Sequence, residues 1–401
     1  MQGSRKHTVL AVLITAVVTA VVTALVTSAI KDIALYTNLV QRKDESLKMK
    51  EVSRILKEYC IYDIDEEKMM DYALIGMAAS AGDPYTAYYP RDEFKSYTDN
   101  VYSSYVGIGA TLGVDEEKDV LVIISPMEDS PAEAAGLKSG DVILAVDGKP
   151  YKSSQLTEVA TYLKSGEEGS TATITVLRNE TEKLDIEVTR QKIIKVSVKS
   201  KMLPQNKGYI RITSFEIGVP GESKSTYEEF CEHLEALKTA GMTGLIIDLR
   251  DNPGGDFESV CKIADELLPE GLITYTEDKQ GNQEKIESDS NSLDMPLVVL
   301  IDGGSASASE VLTGALKDNG RATVVGEKSY GKGIVQSVLS FDDGSGMSIT
   351  TSKYFTPSGV CIHGIGIEPD VEIASSSDKT VSEMELSEDV QLQKALELLG
   401  D

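Results

Sequence analysis

The chain contains no tryptophan, only three histidines and only four cysteines among 401 residues. Each scarcity removes a class of chemistry. Cys60, Cys231, Cys261 and Cys361 have no C-x-x-C or other metal-ligand spacing. Outside a membrane Cys231 and Cys261 could pair, but both sit on apolar helical faces, where free cysteine behaves as a small hydrophobe. A histidine-rich metal site is not expected. His7 precedes an apolar run, His233 sits in a helical pattern and His363 lies in a loop, so histidine is also a poor source of a general base. Positive charge is short as well. The balance of 65 acidic against 39 basic residues, net −26, repels phosphate backbones and argues against a nucleic-acid partner.

Near the N-terminus, Thr8 to Ile30 holds 23 residues without a charge. As a helix this run would span roughly 35 Å at ~1.5 Å per residue, enough to cross a bilayer core of about 30 Å. It exceeds the apolar stretch of a cleaved signal, roughly 7 to 15 residues, and "TSA" at 27–29 is a poor cleavage site. Arg5 and Lys6 precede it, placing the N-terminus in the cytoplasm and the remainder outside. The expected organisation is a cytoplasmic N-terminus and single-pass cell-membrane anchor over 1–31, a helical region over 32–101, a β-rich module over 102–191, an α/β core over 192–375, and a linker with a C-terminal helix over 376–401.

In the β-rich module, short strands such as "DVLVIISPM" and "DVILAVDG" alternate with turn signals. A short helix begins at Pro131 behind Ser130 as N-cap. The core alternates buried-strand and helical patterns: "GLIIDLRD" follows the helical "YEEFCEHLEALKTAG", and "MPLVVLID" precedes "GGSASASEVLTGALKDNG". That alternation is the mark of βαβ units and a mixed α/β class.

The segment "GEKSYGKG" (326–333) has the spacing of a phosphate loop, but its last position is Gly333 where Ser or Thr should ligate magnesium. Lys332 needs another role. "DGGSASASE" follows an apolar strand and opens a helix, whose free N–H groups favour developing negative charge and suit a nucleophilic serine. A serine hydroxyl requires a base. A lysine kept neutral by burial can serve, and the glycines flanking Lys332 let backbone crowd its amine. Lys328, beside Glu327, is the weaker choice.

The string "EDSPAEAAGLKSGDVILAVDGKP" resembles a PDZ domain. By that resemblance "YVGIGA" (105–110) supplies the carboxylate-binding loop, with Val106, Gly107, Ile108 and Gly109 as peptide-binding residues. "GGSASASEVLTGALKDNGRATVVGEKSYGKGIVQ" and "DLRDNPGG", with "GDPYTAYY" and "SKYFTPSGVCIHGIGIEPD", resemble the C-terminal processing peptidases, or tail-specific proteases. The resemblance implies a crotonase-like α/β protease core with an inserted PDZ domain. It also implies a serine endopeptidase that recognises exposed C-terminal tails of protein or peptide substrates, with no cofactor and no metal; with the apolar run at Thr8–Ile30, the expected protein is membrane-anchored, extracytoplasmic and bacterial. Carried over, the nucleophile is Ser307 and the base Lys332, 25 positions later. Gln336 positions the lysine, and the backbone N–H groups of Ala308 and Gly254 form the oxyanion hole. Glu310 matches an acid beside the site and also suits the first turn of its helix by charge. Ser305 and Ser309 are read as structural. The helical arm and C-terminal helix suit a homodimer, as in some relatives, or docking onto the chain's own core. The reading from another class is a catalytically silent PDZ scaffold that binds C-termini at the membrane surface.

Overall fold

The computed structural model describes residues 45–115, 118–127, 129–164, 166–289, 291–375, 381 and 384–400. The apolar run Thr8–Ile30, on which the anchor was expected, lies outside them. Among the described residues no helix is long and apolar enough to cross a membrane. The described residues fall into two compact units, divided between Ala73 and Leu74.

In the first unit, α1 (Glu45–Tyr59) is joined by a short turn to α2 (Glu66–Ala79), which continues into the second. Lys57 and Glu66 pair across the turn at 2.6 Å. Val52, Leu56, Met69, Met70 and Ala73 line an apolar groove on this unit.

The second unit is built on a parallel sheet. Its strands are β10 (Val198–Leu203), β11 (Lys207–Ile212), β12 (Gly244–Asp248), β15 (Leu297–Ile301), β16 (Thr323–Gly326) and β19 (Val371–Glu372), in that order, with only β10 antiparallel to its neighbour. Strands β12 and β15 are buried along their whole length, as a parallel sheet covered on both faces requires. On one face α6 (Thr226–Thr239), α7 (Phe257–Leu267) and α8 (Ala308–Asp318) pack their apolar stripes, including Phe230, Leu234, Ile263 and Leu312, over Ile247 and Val299. On the other, α9 (Val390–Leu399) sets Leu392, Ala395 and Leu399 against Ile246 and Leu300.

A second sheet has the order β1 (Ala87–Tyr89), β18 (Gly346–Phe355), β13 (Gly271–Asp278), β14 (Gln283–Ser288), with β17 (Ile334–Ser340) also paired to β18. The span 32–101, expected to be helical, is therefore not wholly so. Ala87–Tyr89 forms a strand against Gly346–Ser348 before α3 (Arg91–Val101) begins. Its aromatic pair favours the extended state, and the partner strand lies far away in sequence.

The β-rich module is a sheet of β3 (Ala110–Asp115), β4 (Val120–Pro126), β5 (Val142–Val146), β7 (Thr171–Arg178) and β8 (Glu182–Thr189). The two-residue β6 (Lys149–Pro150) pairs with β5, and α4 (Pro131–Ala134) and α5 (Leu156–Lys164) cover the core of Leu121, Ile143, Val159 and Ile174. Both ends of the module leave through one ribbon, β2 (Ser104–Gly107) paired to β9 (Gln191–Ile194).

Candidate active site

Three consecutive parallel strands, β12, β15 and β16, end at the same edge of the sheet, and the motif loops follow them there. This is the edge where open α/β sheets gather functional side chains. The loop after β12 carries "DNPGG", the loop after β15 carries the serines, and the loop after β16 carries Lys332.

Of the serines, Ser305 is fully buried and locked: its hydroxyl donates to Leu249 O at 2.8 Å and accepts the Asp302 N–H at 2.9 Å. Ser309, also fully buried, donates to Asn252 O at 3.0 Å. Ser307 is the one that lines a cleft of about 340 Å³, together with Ala308, Lys332 and Gln336. It sits at φ 55°, ψ −114°, immediately before α8. A non-glycine residue held there carries strain of about 1–3 kcal/mol, which the surrounding bonds must offset.

Those bonds come largely from Glu310, which is fully buried. Its Oε2 accepts the backbone N–H of Ser307 at 2.9 Å and of Lys332 at 2.8 Å. Its Oε1 accepts the Ser329 hydroxyl at 2.6 Å and the Gly331 N–H at 2.8 Å. One carboxylate thus clamps the nucleophile turn to the lysine loop, a far larger task than charge complementarity in a helical turn. The spacing S-x-x-E from Ser307 to Glu310 is a capping-box signal that points to the first of these bonds. Tyr354 adds a second tie, its hydroxyl lying 2.8 Å from Ser307 O and 2.6 Å from Lys332 O.

Lys332 is half-buried, and burial pushes its amine below the ordinary lysine range, with the Asp83 carboxylate pulling the other way. Among the described residues no carboxylate pairs with it, whereas Lys328 is ion-paired to Glu368 at 2.7 Å. No hydrogen bond links Ser307 Oγ to Lys332 Nζ among the described residues. Gln336 lines the same cleft, but its Nε2 is buried without a partner and does not reach the lysine.

The Ala308 N–H, first in α8, has no acceptor among the described residues and lies beside Gly254. Gly254 does not offer the matching donor. Its N–H is taken by Asn252 Oδ1 at 2.9 Å. The next residue, Gly255, lines the cleft, and its N–H has no acceptor among the described residues. Both glycines are required by packing: a Cβ on Gly254 would lie 2.7 Å from Ser307 Cβ, and one on Gly255 2.0 Å from Phe215 O. Much of the remaining wall is apolar, from Ile217, Phe257, Val311, Ile334, Val335 and Val338, while Tyr97, Tyr354 and Asp256, the N-cap of α7, also line it.

Neither of the two described histidines lines the cleft. His233 lies on α6 with Nδ1 2.7 Å from Ser200 Oγ, and His363 contributes backbone beside Gly333. All four cysteines are free, and burial pushes the Cys261 thiol up to about 12. Among the described residues no acidic, histidine and cysteine cluster has the arrangement of a metal site.

In the β-rich module a groove of about 420 Å³ runs between the free edge of β3 and α5. Ile108 and Gly109 line one end of it, and their N–H groups have no acceptor among the described residues. Val106 and Gly107, expected to share that role, lie in β2 opposite Lys192 and Gln191. The groove wall Lys195 is ion-paired to Glu216 at 3.0 Å. Glu216 stands between Phe215, whose N–H donates to Gly254 O at 2.9 Å, and Ile217 of the cleft wall.

Residues 206–373 match the profile of peptidase family S41, and residues 106–189 match that of the PDZ domain. The chain is 38% identical over 330 residues to a probable CtpA-like serine protease of Staphylococcus aureus, covering 81% of this chain but 64% of the length of that relative. It is 37% identical over 334 residues to the carboxyl-terminal-processing protease of Synechocystis sp., covering 82% of this chain and 76% of the relative. Among solved structures, the photosystem II D1 C-terminal processing protease is 30% identical with a TM-score of 0.52, over 84% of this chain and 88% of that one.

Proposed function

Because the chain belongs to peptidase family S41 and carries a PDZ domain ahead of most of its S41 core, we propose that it is a serine endopeptidase that cleaves proteins selected by their C-terminal tails. The observation that carries this reading is the single cleft in which the one unlocked serine of "SASAS", a free helix N-terminal N–H and a half-buried lysine without an ion-pair partner come together.

Ser307 Oγ attacks the scissile carbonyl while its proton passes to Lys332 Nζ, and the oxyanion rests on the N–H groups of Ala308 and Gly255. The lysine ammonium then protonates the leaving amine, and the acyl-enzyme is hydrolysed by water with Lys332 again as base. For this Lys332 Nζ must close to hydrogen-bond distance of Ser307 Oγ, and Gln336, which lines the same cleft, can accept an amine N–H through its amide oxygen. The apolar walls favour an uncharged side chain next to the bond cut.

At the PDZ groove the free N–H groups of Ile108 and Gly109 suit a terminal carboxylate, while the open edge of β3 can add a peptide as a strand. Thr8–Ile30 is taken as the anchor that holds the enzyme on the outer side of a bacterial cytoplasmic membrane. The test is cleavage of an unfolded protein ending in a free tail, compared for the wild type, Ser305→Ala, Ser307→Ala and Lys332→Ala. Ser305→Ala should cut, and the other two should not. Tail binding without cleavage by the wild type would instead mark a silent scaffold.

A further inference from the structure

Lys332 has an aromatic neighbour from a distant part of the chain. Its Nζ lies 4.6 Å from the centre of the Tyr85 ring. Tyr85 belongs to the "GDPY" turn, which is fastened to the second sheet. Asp83 accepts the Tyr85 N–H at 3.1 Å, the Thr86 hydroxyl at 2.6 Å and the Thr350 hydroxyl at 2.5 Å, and β1 follows directly. The ring is therefore a built wall of the lysine's surroundings.

Proton transfer from Ser307 converts a neutral amine into an ammonium in a half-buried place. An aromatic face attracts a cation through its quadrupole, and more strongly where water is thin. Building on the Ser307–Lys332 reading above, we infer that Tyr85 is a positioning residue whose ring face holds Lys332 Nζ and shares its positive charge through the transition state. The other groups around the lysine are committed elsewhere. Glu310 binds four N–H and O–H donors, none of them the amine. The Tyr354 hydroxyl is engaged with Ser307 O and Lys332 O. Asp83 lies near both Lys332 and His363 but makes no ion pair with either among the described residues, and Tyr330 lies beside the Tyr85 side chain. The step balances: the Oγ–H bond breaks as Oγ–C forms, and the proton rides on Nζ until the C–N bond breaks and the leaving nitrogen takes it.

The test uses the full chain with Tyr85→Phe, Tyr85→Trp and Tyr85→Leu, measuring kcat, KM and the pH dependence of kcat/KM. Phe and Trp keep a ring face and should retain activity within about threefold, while Leu should lower plateau kcat by about 3- to 30-fold with KM little changed. Loss of the ring removes a group that favours the ammonium. The acid limb in Tyr85→Leu should therefore move down by about half to one pH unit. Ring-fluorinated phenylalanines at position 85 keep shape while weakening the quadrupole, and kcat should fall stepwise along that series even where Leu disturbs folding. A flat fluorination series, an unmoved acid limb, or a faster Tyr85→Leu enzyme overturns the inference. Inactive Lys332→Ala alongside a flat Tyr85 series would leave the dyad standing and remove only this inference, whereas active Lys332→Ala would remove both.

Discussion

Glu310 Oε2 accepts the Lys332 backbone N–H at 2.8 Å, so the helix that begins beside the nucleophile is tied directly to the loop that carries the base. The two loops leave different strands, and this tie, together with the Tyr354 hydroxyl and the Tyr330 N–H to Ser305 O at 3.0 Å, fixes their spacing to the fraction of an ångström that catalysis needs. Glu310→Gln replaces an acceptor oxygen by a donor amide facing N–H and O–H donors. It should cost about 2–4 kcal/mol of stability and at least roughly 100-fold in kcat/KM. Urea unfolding and steady-state kinetics would check both; full activity in Glu310→Gln would show that the clamp is dispensable.

Arg250 is buried against Asp248 at 2.6 Å and Asp389 at 2.8 Å, with Gln391 Oε1 2.9 Å from Nη1. The arginine thereby docks the N-terminus of α9 on the sheet. Arg250→Met leaves two buried carboxylates uncompensated and should cost about 3–5 kcal/mol. Burial alone pushes Asp248 up, but Arg250, with Arg211 and Tyr209, more than offsets it and holds the carboxyl below its ordinary value. A depressed carboxyl contributes stability above its unfolded pKa of about 3.9, and that contribution fades as pH falls through the folded value. Denaturant melts should show the gap between wild type and Arg250→Met widest at neutral pH and narrowing as pH falls, first as the variant's buried carboxyls take up protons and then, below about pH 4, as the wild type loses its own contribution. A gap independent of pH would argue against the ion pair as its cause.

Glu216 links the PDZ groove to the cleft, through Lys195 on one side and the Phe215–Gly254 hydrogen bond on the other. Glu216→Gln should leave the binding of a free-tail peptide within about threefold, because Glu216 is buried behind Lys195 and does not itself line the groove. It should, however, shrink the rate advantage of a tailed substrate over a tail-blocked one. Peptide titration and paired cleavage assays separate the two effects, and an unchanged advantage would exclude Glu216 from the coupling.

The sequence made the buried strands of the core readable because "GLIID" and "LVVLI" are continuous apolar runs, and the PDZ module readable through its turns. Ser307 and Lys332 were visible because each stands in a loop at the end of such a strand. Other features depend on partners far away. The three-residue β1 pairs with Gly346–Ser348, and Arg250 meets Asp389 across 139 positions, so neither the strand nor the docking of α9 had a local signal. The choice between Gly254 and Gly255 is made by the Asn252 side chain, and Tyr85 and Tyr354, although they stand in the quoted motifs "GDPYTAYY" and "SKYFTPSG", reveal their contacts only in the fold.

The most direct test of the central claim is covalent capture of the nucleophile. The full chain is treated with a fluorophosphonate bearing an apolar peptide, and the adduct is mapped by peptide mass spectrometry. The account predicts a single adduct on Ser307, formed faster as pH rises through a limb below the ordinary lysine value of about 10.4 and at least about 100-fold slower in Lys332→Ala. An adduct on Ser305 or Ser309, or cleavage activity that survives complete labelling of Ser307, would contradict it.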